Sequence, residues 1–324
     1  MAPSLPPLVD VASAARILRA GGLVALPTET VYGLADNGRD QAAVYRVFAV
    51  KGRPEFHPLI VHLAGADLLP GWVEDVPEAA WVLARRFWPG PLTLVLKRGA
   101  LASDQVTGGL DTVAVRVPDH AATLAVLAEL GSGVAAPSAN RFGRVSPTTA
   151  AHVIEDLGAD VDAVLDGGPC RVGVESTIVD LSSKDPREWA ILRPGGLDAS
   201  ALGEVLGRPL AVVAGATKVR APGQMASHYA PRARLEVVPL PLMDERAAAW
   251  QADGKRVVRL GQRELGTRAD AWARSLYGAI RQADGSGADV ILVETPPGGA
   301  LADAVHDRLS RASRPPPGTA TEAM

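Results

Sequence analysis

Residues 133–158 read GVAAPSANRFGRVSPTTAAHVIEDLG. A short apolar run ends there in a turn of small and polar residues, and an amphipathic stretch follows the turn. A strand, a polar turn and a helix in this order are typical of α/β proteins, which place binding groups where strands end. Ser146 is the expected N-cap of the helix, with Pro147 at its first position. The free N–H groups of that helix start would then face a phosphate.

Apolar runs and amphipathic stretches alternate on both sides of this segment. Some apolar runs follow one another directly, which favours a mixed sheet over a pure repeat of strand and helix. We therefore predict an α/β fold with an open mixed sheet and flanking helices. The predicted helices cover residues 11–20, 40–50, 78–88 and 120–130, and the predicted strands cover residues 23–27, 58–63, 92–97, 112–117, 133–138, 162–168, 176–181 and 190–195.

The chain of 324 residues is long enough for two domains. Its pattern changes at residues 211–234, where Pro and Gly interrupt the chain, and we predict a linker there. Apolar runs and amphipathic stretches alternate again after the linker. We predict a larger α/β domain at residues 1–210 and a smaller Rossmann-like α/β domain at residues 235–324.

The composition is that of an ordinary globular protein, with 47% hydrophobic residues, 21% charged residues and a net charge of −3. Residues 1–228 carry an acidic excess, which disfavours nucleic acid as a steady partner. No apolar run approaches the ~20 residues that span a bilayer. The start MAPSLPPLVD lacks a signal-peptide pattern. We expect a cytoplasmic protein without a membrane segment.

Cys170 is the single cysteine, so neither a disulfide within the chain nor a cysteine-based metal site is expected. It follows a Gly-Gly-Pro turn, and the simplest interpretation is a small buried side chain. A nucleophile is the alternative interpretation. Neither the dinucleotide-binding glycine pattern nor the P-loop pattern occurs in the chain.

A polar cluster, KGRPEFHPLIVH, occupies residues 51–62. Lys51 and Arg53 straddle Gly52 and precede a proline, so we expect both cations in an exposed turn. Two fixed cations favour an anionic ligand or a developing negative charge, whereas a solvated pair after a helix is the alternative. His62 ends an apolar run, and a lone histidine in such a place is more often structural.

Other polar groups lie in or beside apolar runs. Arg116 lies within TVAVRV and needs a partner if it is buried. Ser138 and Asn140 lie in a turn whose alanines let a ligand approach the backbone. Ser176 precedes a predicted strand, and Arg193 follows one in a position suited to a phosphate. These residues indicate a site for a nucleotide and a carboxylate, but they do not fix the reaction.

Six motifs taken together resemble the YrdC-domain family. The segment PGQMASHYAP at residues 222–231 and the domain after it resemble the long form of this family, the threonylcarbamoyl-AMP synthases. The six motifs are PTETVYGL (27–34), KGRPEFHPLIVH (51–62), FWPGPLTLVL (87–96), AAPSANRFGRVSPT (135–148), GVESTIVD (173–180) and ILRPG (191–195).

The resemblance implies a twisted YrdC-like sheet in a catalytic domain, and it implies a nucleotidyltransferase. The expected reaction condenses L-threonine, bicarbonate and ATP to L-threonylcarbamoyladenylate and releases pyrophosphate. Mg²⁺ is expected as a cofactor carried on the ATP phosphates, without a dedicated metal site in the protein. The product is expected to pass to a complex that modifies adenosine in tRNA, and no stable nucleic-acid binding is expected.

The resemblance also implies roles for individual side chains. Lys51 and Arg53 are expected to act in catalysis, near the carbonate and the phosphates. Tyr229 is expected to close over the nucleotide within a lid at residues 221–231, with His228 beside it. The residues expected to bind threonine are Thr30, His62, Arg116, Ala136, Ser138 and Ser176. The residues expected to bind ATP are Arg53, His57, Thr112, Ser138, Asn140, Ser146, Arg193 and Tyr229.

Two other functions stay open on the sequence alone. One is a carbamoyl-adenylate-forming YrdC domain, which usually accompanies a large transferase domain for which 324 residues leave no room. The other is an RNA-binding module that uses a concave sheet face, and the acidic excess of residues 1–228 argues against it. ATP consumption with threonine and bicarbonate, compared with carbamoyl phosphate and with RNA, distinguishes the three functions.

Overall fold

The computed structural model describes residues 5–213, 221–223 and 228–314. Within the predicted linker at residues 211–234, the stretches 214–220 and 224–227 lie outside the described residues, and the second stretch is part of the predicted lid. The chain divides into two compact units. The first comprises residues 1–142 and 147–224, and the second comprises residues 143–146 and 225–324.

Helices and strands alternate irregularly in the first unit. Its helices are α1 Val11–Arg19, α2 Gln41–Lys51, α3 Leu69–Trp72, α4 Glu78–Phe87, α5 Asp104–Thr107, α6 Ala121–Leu130, α7 Ala150–Leu157 and α8 Ala199–Leu206. Its strands are β1 Val24–Leu26, β2 Gly33–Asn37, β3 Ile60–His62, β4 Leu92–Lys97, β5 Thr112–Arg116, β6 Val134–Ala135, β7 Ala163–Val164, β8 Thr177–Asp180, β9 Ala190–Arg193 and β10 Ala211–Val212.

Within the described part of the chain, these strands form one sheet in the order β10-β9-β8-β4-β5-β3-β6-β2-β1-β7. Strand β3 is parallel to β5, and β4 is parallel to β8. Strands β4 and β5 are antiparallel, and β6 is antiparallel to both of its neighbours, β2 and β3. The mixed sheet with flanking helices confirms the predicted fold class.

Helix α2 positions the polar cluster at residues 51–62. Asp40 caps its start and accepts hydrogen bonds from Ala42 N at 3.0 Å and Ala43 N at 3.2 Å, as the sequence predicted. Gly52 ends the helix at a φ of 65°, a conformation that glycine adopts with little strain. Lys51 is therefore the last helical residue, and its backbone is fixed by a defined helix end.

The helix after the turn at residues 135–148 begins later than predicted. Its N-cap is Thr149, whose hydroxyl accepts a hydrogen bond from His152 N at 3.3 Å. Pro147 O accepts a backbone hydrogen bond from Tyr32 N at 2.9 Å, which ties the residues before the helix to the segment preceding β2. The prediction that Ser146 is the N-cap is wrong. Because no helix begins at Ser146, this residue does not present the free N–H groups of a helix start to a phosphate.

Strand β2 was not among the predicted strands. Its sequence, GLADN, contains residue types that are depleted in strands. It forms because antiparallel neighbours pair with it on both sides, with Ala35 opposite Val24 of β1 and Asp36 opposite Ala135 of β6. Pairing between segments that are distant in sequence thus overrides a weak local preference.

The second unit is a smaller α/β arrangement. Its strands are all paired in parallel, in the order β11-β13-β12, which is the Rossmann-like pattern that the sequence predicted. Its strands are β11 Arg234–Val238, β12 Val257–Leu260 and β13 Val290–Glu294, and its helices are α9 Met243–Ala252, α10 Gln262–Leu265, α11 Ala269–Gly285 and α12 Ala302–Ala312.

Two exclusions made from the sequence can be compared with the structure. Among the described residues, no helix combines the length and the apolar character needed to cross a membrane.

Cys170 is buried, and burial raises the pKa of its thiol to about 12. Because the thiolate is the reactive form of cysteine, this environment disfavours a nucleophile and confirms the interpretation as a buried side chain.

Candidate active site

One face of the large sheet carries several of the predicted site residues. In the parallel pair of β3 and β5, Ile60 lies opposite Ala114 and His62 lies opposite Arg116. Residues that are paired in this way point to the same face of a sheet. We call this face the site face. Its apolar cluster comprises Ile60, Val95, Ala114, Ile178, Leu192 and Ala221.

Arg116 is held by three protein groups at the end of β5. Its Nη2 lies 2.6 Å from Glu29 Oε1, and the two side chains are 4% and 1% exposed. Its Nη1 donates to Thr30 Oγ1 at 2.9 Å, and its Nε donates to Gly90 O at 3.2 Å. A buried guanidinium requires such partners. The prediction that Arg116 needs a partner is confirmed.

His62 is a neutral imidazole beside this cation. Burial, and next the charge of Arg116, lower the pKa of His62 to about 3. Its Nδ1 lies 3.2 Å from Ile60 O. A neutral ring can donate and accept hydrogen bonds without adding a second positive charge next to Arg116. His62 is therefore suited to contact a polar ligand that Arg116 binds through its charge.

Lys51 connects helix α2 to the turn at residues 136–140. The expectation that Lys51 and Arg53 lie in an exposed turn is wrong, because both side chains are buried. Lys51 Nζ donates to the backbone oxygens of Ser138 and Asn140, each at 2.5 Å. Burial, and next the proximity of Arg53, hold the pKa of Lys51 well below its usual value. An anion bound here would favour the charged form of this lysine.

Arg53 and His57 lie around the ring of Phe142. Arg53 Nη2 donates to Pro58 O at 2.9 Å, and its guanidinium carbon lies 5.8 Å from the centre of the Phe142 ring. The His57 ring centre is 5.5 Å from the same ring. Burial, and next the charge of Arg53, lower the pKa of His57 to about 4. The cluster combines one charge with flat rings on which a base can stack.

The turn at residues 136–140 approaches the segment before β2 closely. Ala139 N donates to Tyr32 O at 2.8 Å, and an isolated bridge pairs Gly33 with Ser138. A side chain at Gly33 would place its Cβ only 3.2 Å from Ala136 Cβ. Small residues on both segments therefore bring the turn at residues 136–140 against Tyr32 and Gly33 of the motif PTETVYGL.

Arg193 and Ser176 form a hydrogen-bonded pair next to β4. Arg193 donates to Ser176 O from Nε at 3.1 Å and from Nη2 at 3.0 Å, and its Nη2 also donates to Ser176 Oγ at 3.1 Å. Ser176 Oγ lies 2.7 Å from Thr93 Oγ1. Arg193 Nη1 donates to Pro222 O at 3.0 Å, so a described part of the predicted linker contacts this pair.

Three further predicted site residues are Thr112, Ser146 and Tyr229. Thr112 begins β5 and Arg116 ends it, so about 13 Å of strand separates them. Ser146 and Tyr229 belong to the second unit. There the Tyr229 ring stacks on the ring of Tyr277 at 5.9 Å and lies 5.0 Å from the guanidinium carbon of Arg308. The predicted ATP contacts of these three residues stay predictions.

Glu29 and Thr93 contact the predicted site residues Arg116 and Ser176, and the sequence analysis missed both. Glu29 lies inside the motif PTETVYGL, where an acidic residue within a largely apolar segment was an available signal. Thr93 lies in the apolar run LTLVLK, and nothing local distinguishes it from a strand residue with no function. Both become visible only when strands distant in sequence are placed side by side.

The site offers hydrogen-bond donors and cations more than metal ligands. Among residues 5–213, 221–223 and 228–314, no group of three or more His, Cys, Asp or Glu is arranged to hold a metal ion. The carboxylate next to Arg116 is already engaged by that cation. The arrangement can bind a carboxylate at Arg116 and phosphates near Lys51 and Arg53.

This fold and this site define a YrdC-like α/β protein. The family model Sua5_yciO_yrdC, described as "Telomere recombination", matches residues 16–195. A second model, described as "Threonylcarbamoyl-AMP synthase, C-terminal domain", matches residues 197–314. The crystal structure of E. coli YciO shares the fold, with a TM-score of 0.52 and 21% identity over 62% of this chain and 100% of that chain.

The chain belongs to the family of the threonylcarbamoyl-AMP synthases. It is 42% identical to the threonylcarbamoyl-AMP synthase of Pyrococcus abyssi over 93% of both chains. It is 39% identical to that of Bacillus subtilis over 94% of this chain and 93% of the relative. The crystal structure of P. abyssi Sua5 complexed with L-threonine matches with a TM-score of 0.89 and 41% identity over 94% of both chains.

Proposed function

We propose that this protein is an L-threonylcarbamoyladenylate synthase, which condenses L-threonine, bicarbonate and ATP and releases pyrophosphate. The observation that carries the proposal is the buried Arg116, bonded to Thr30 and paired in register with His62, in a chain of this family. The similar P. abyssi protein was crystallised with L-threonine. That likeness supports threonine as the substrate of this chain.

Arg116 is proposed to bind the carboxylate of threonine. A guanidinium presents pairs of donors in one plane that match the two oxygens of a carboxylate. Because Glu29 already engages Nη2, the substrate must share the guanidinium with this carboxylate or displace it. Neutral His62 and the hydroxyl of Thr30 are proposed to bind the polar groups of threonine. Ala136, Ser138 and Ser176 complete the proposed pocket.

The phosphates of ATP are proposed to bind near Lys51 and Arg53. The backbone oxygens that Lys51 contacts orient its Nζ before ATP arrives. Mg²⁺ would be carried on the phosphates, because the side chains here are mostly cations and neutral donors. The remaining residues proposed to contact ATP are His57, Thr112, Ser138, Asn140, Ser146, Arg193 and Tyr229.

The proposed reaction needs no covalent intermediate on the protein. The neutral amine of threonine attacks the carbon of CO₂ with release of a proton, or the carbon of bicarbonate with loss of water, and forms a carbamate. A carbamate oxygen then attacks the α-phosphorus of ATP, and the bond to pyrophosphate breaks. Lys51 and Arg53 stabilise the negative charge that develops on the phosphates, and the site face orients the reactants.

The product of this reaction is a mixed anhydride, which is labile in water. We propose that a tRNA-modifying complex takes it up and transfers the threonylcarbamoyl group to adenosine. A cytoplasmic location fits this role, since tRNA modification of this kind requires access to ATP, threonine and the transfer complex. Family membership supports this part of the proposal.

The substrate requirement of pyrophosphate release tests the proposed function. We expect release from ATP only when threonine and bicarbonate are both present. ATP consumption that depends on carbamoyl phosphate would instead indicate a carbamoyl-adenylate-forming domain. ATP consumption that depends on RNA and not on threonine would indicate an RNA-directed function. Either result would overturn the proposal.

A further inference from the structure

The second unit has a cavity at the ends of its parallel strands. Its volume is ≈ 450 Å³, within the range of about 300–1,000 Å³ that is usual for small-molecule sites. All three strands of the unit contribute to the lining: Leu240 and Met243 follow β11, Gly261 follows β12, and Glu294 ends β13. We call it the strand-end cavity.

The strand-end cavity lies where the connections between strands change direction. The connection from β11 to β12 through α9 passes beyond the central strand β13, and the connection through α10 and α11 returns from β12 to β13. Connections between parallel strands are right-handed. Two such connections that run in opposite directions across the sheet therefore place their helices on opposite faces of the sheet. Open α/β sheets bind ligands at such a point, beyond the carboxyl ends of the strands.

Carboxylates accept hydrogen bonds from the backbone N–H groups at this point. Glu294 is buried at the end of the central strand, and its Oε2 accepts a hydrogen bond from Gln262 N at 3.1 Å. Glu264 Oε2 accepts one from Gly261 N at 3.0 Å. In a nucleotide-binding Rossmann fold, N–H groups after a strand receive a phosphate. Here they are already bonded to carboxylates, so these two N–H groups do not receive a phosphate as they would in that fold.

The remaining lining combines an apolar surface with charged and polar side chains, among them the guanidinium groups of Arg259 and Arg263. Asp244 and Arg259 form an exposed ion pair at the rim of the cavity. Leu240, Met243 and Leu260 supply an apolar wall, and Leu240 is 61% exposed although it is a large aliphatic side chain. An apolar wall beside a buried carboxylate suits an uncharged ligand that has a flat apolar part and hydroxyl groups.

We propose that the strand-end cavity binds a ribonucleoside. Glu294 accepts hydrogen bonds from the ribose hydroxyls, as a carboxylate at a strand end does in dinucleotide-binding folds. The base packs on the apolar wall formed by Leu240, Met243 and Leu260. A neutral nucleoside adds no charge to a cavity in which the carboxylates of Glu264 and Glu294 already lie with the guanidinium groups of Arg259 and Arg263. The inference goes beyond the proposed synthase activity and does not depend on it.

Hydrogen exchange measured by mass spectrometry on the full chain tests the proposal and localises binding. The probes are adenosine, guanosine, cytidine and uridine at millimolar concentration, each compared with its 2′-deoxy form and its monophosphate. At least one ribonucleoside is expected to slow exchange in residues 239–265 and 290–296. Its 2′-deoxy form is expected to bind at least about tenfold more weakly, because a hydroxyl contact is lost.

Two exposed leucines provide a matched pair of variants. Leu240→Asp is expected to weaken nucleoside binding at least about tenfold, because it replaces the apolar wall with a charge. Leu242→Asp is the control, since Leu242 is also half-exposed, at 50%, but does not line the cavity. Glu294→Gln keeps an acceptor for Gln262 N and removes the charge, and it is expected to weaken binding several-fold while the melting temperature stays close to that of the parent chain.

Three results would overturn the proposal. The first is the absence of local protection by all four ribonucleosides. The second is equal binding of ribose and 2′-deoxyribose forms, or tighter binding of the monophosphate. The third is an equal effect of Leu240→Asp and Leu242→Asp. Pyrophosphate release by these variants is expected to match the parent chain, so failure of this inference is distinguishable from failure of the proposed function.

Discussion

Arg116 carries its charge in a place that is almost closed to water. Removing a guanidinium from water costs several kcal/mol, and only good partners offset that cost. The ion pair with Glu29 and the hydrogen bonds to Thr30 and Gly90 supply them. A mixed sheet can fold without a buried guanidinium that costs this much desolvation free energy. The presence of Arg116 therefore favours a binding role for this residue.

Arg116→Lys is expected to raise KM for threonine at least about tenfold and KM for ATP by less than about threefold. Lysine keeps the charge but cannot bind a carboxylate through two coplanar donors. Initial rates with each substrate varied separately measure both effects. Arg98→Lys is the control, because Arg98 is paired with Asp104 outside the site. Equal increases for both substrates would place Arg116 outside the threonine pocket.

Lys51→Ala is expected to lower activity and stability together. The change removes the cation proposed to stabilise phosphate charge, and a loss of activity of at least about a hundredfold is expected. It also removes both hydrogen bonds to the turn at residues 136–140, at a cost of about 2 kcal/mol in the free energy of unfolding. Pyrophosphate release and chemical denaturation measure the two effects. Lys184→Ala is the control, because Lys184 is exposed. An unchanged free energy of unfolding in Lys51→Ala would contradict the observed burial of Lys51.

Asp36 is expected to make stability depend on pH. The residue is fully buried, and burial, followed by the charge of Asp40, raises the pKa of its carboxyl well above the usual value of 3.8. Between these two pKa values the folded state binds a proton that the unfolded state has lost. The contribution of Asp36 is therefore fully present below pH 3.8 and is lost as the pH rises through the raised pKa.

Asp36→Asn is expected to remove this dependence. The amide is an uncharged analogue of the protonated carboxyl, so the variant is expected to gain stability relative to the parent as the pH rises from 5 to 8. Chemical denaturation across this range measures the difference. Asp67→Asn, at an exposed site, is the control. A parallel pH dependence of parent and Asp36→Asn would contradict the assignment.

At the scale of elements, features with local signals were predictable and features made by distant pairing were not. The start of α2 at Asp40 and its end at Gly52 follow from a capping side chain and a left-handed glycine, both written in adjacent residues. Strand β2 forms only because β1 and β6 flank it. The burial of Lys51 depends on the turn that receives it from another part of the chain.

The candidate site shows the same contrast between features with local sequence signals and features made by distant segments. Arg116 could be selected because a cation in an apolar run demands a partner, but the partner Glu29 lies 87 positions away and no periodicity links the two. The start of α7 was misplaced because Ser146-Pro147 and Thr149 are both acceptable helix starts by local rules. The backbone bond between Tyr32 and Pro147 ties the earlier segment down and leaves Thr149 as the cap.

Thr149→Ala is expected to lower the free energy of unfolding by about 1 kcal/mol, because the hydrogen bond from His152 N to the capping hydroxyl is lost. Thr149→Ser keeps the hydroxyl and is expected to change stability by less than about half of that amount. Denaturant titration of the three proteins measures the difference. Equal losses in both variants would show that the hydroxyl at residue 149 does not cap the helix.

At the scale of the whole molecule, the described part of the linker belongs to the proposed active site. Ala221 packs in the apolar cluster of the site face, and Pro222 accepts the hydrogen bond from Arg193. A carbamate and a mixed anhydride are both labile in water, so a synthase of this kind needs its site closed during the reaction. The lid expected at residues 221–231 stays a prediction, and residues 224–227 of it lie outside the described residues.

The identity of the product tests the central claim most directly. The full chain is incubated with ATP, isotopically labelled threonine and isotopically labelled bicarbonate, and the adenylate that forms is analysed by mass spectrometry. We predict one adenylate that contains both labels, formed together with pyrophosphate and reduced strongly in Arg116→Lys at low threonine concentration. An adenylate that lacks either label, or conversion of ATP to ADP and phosphate, would contradict the account.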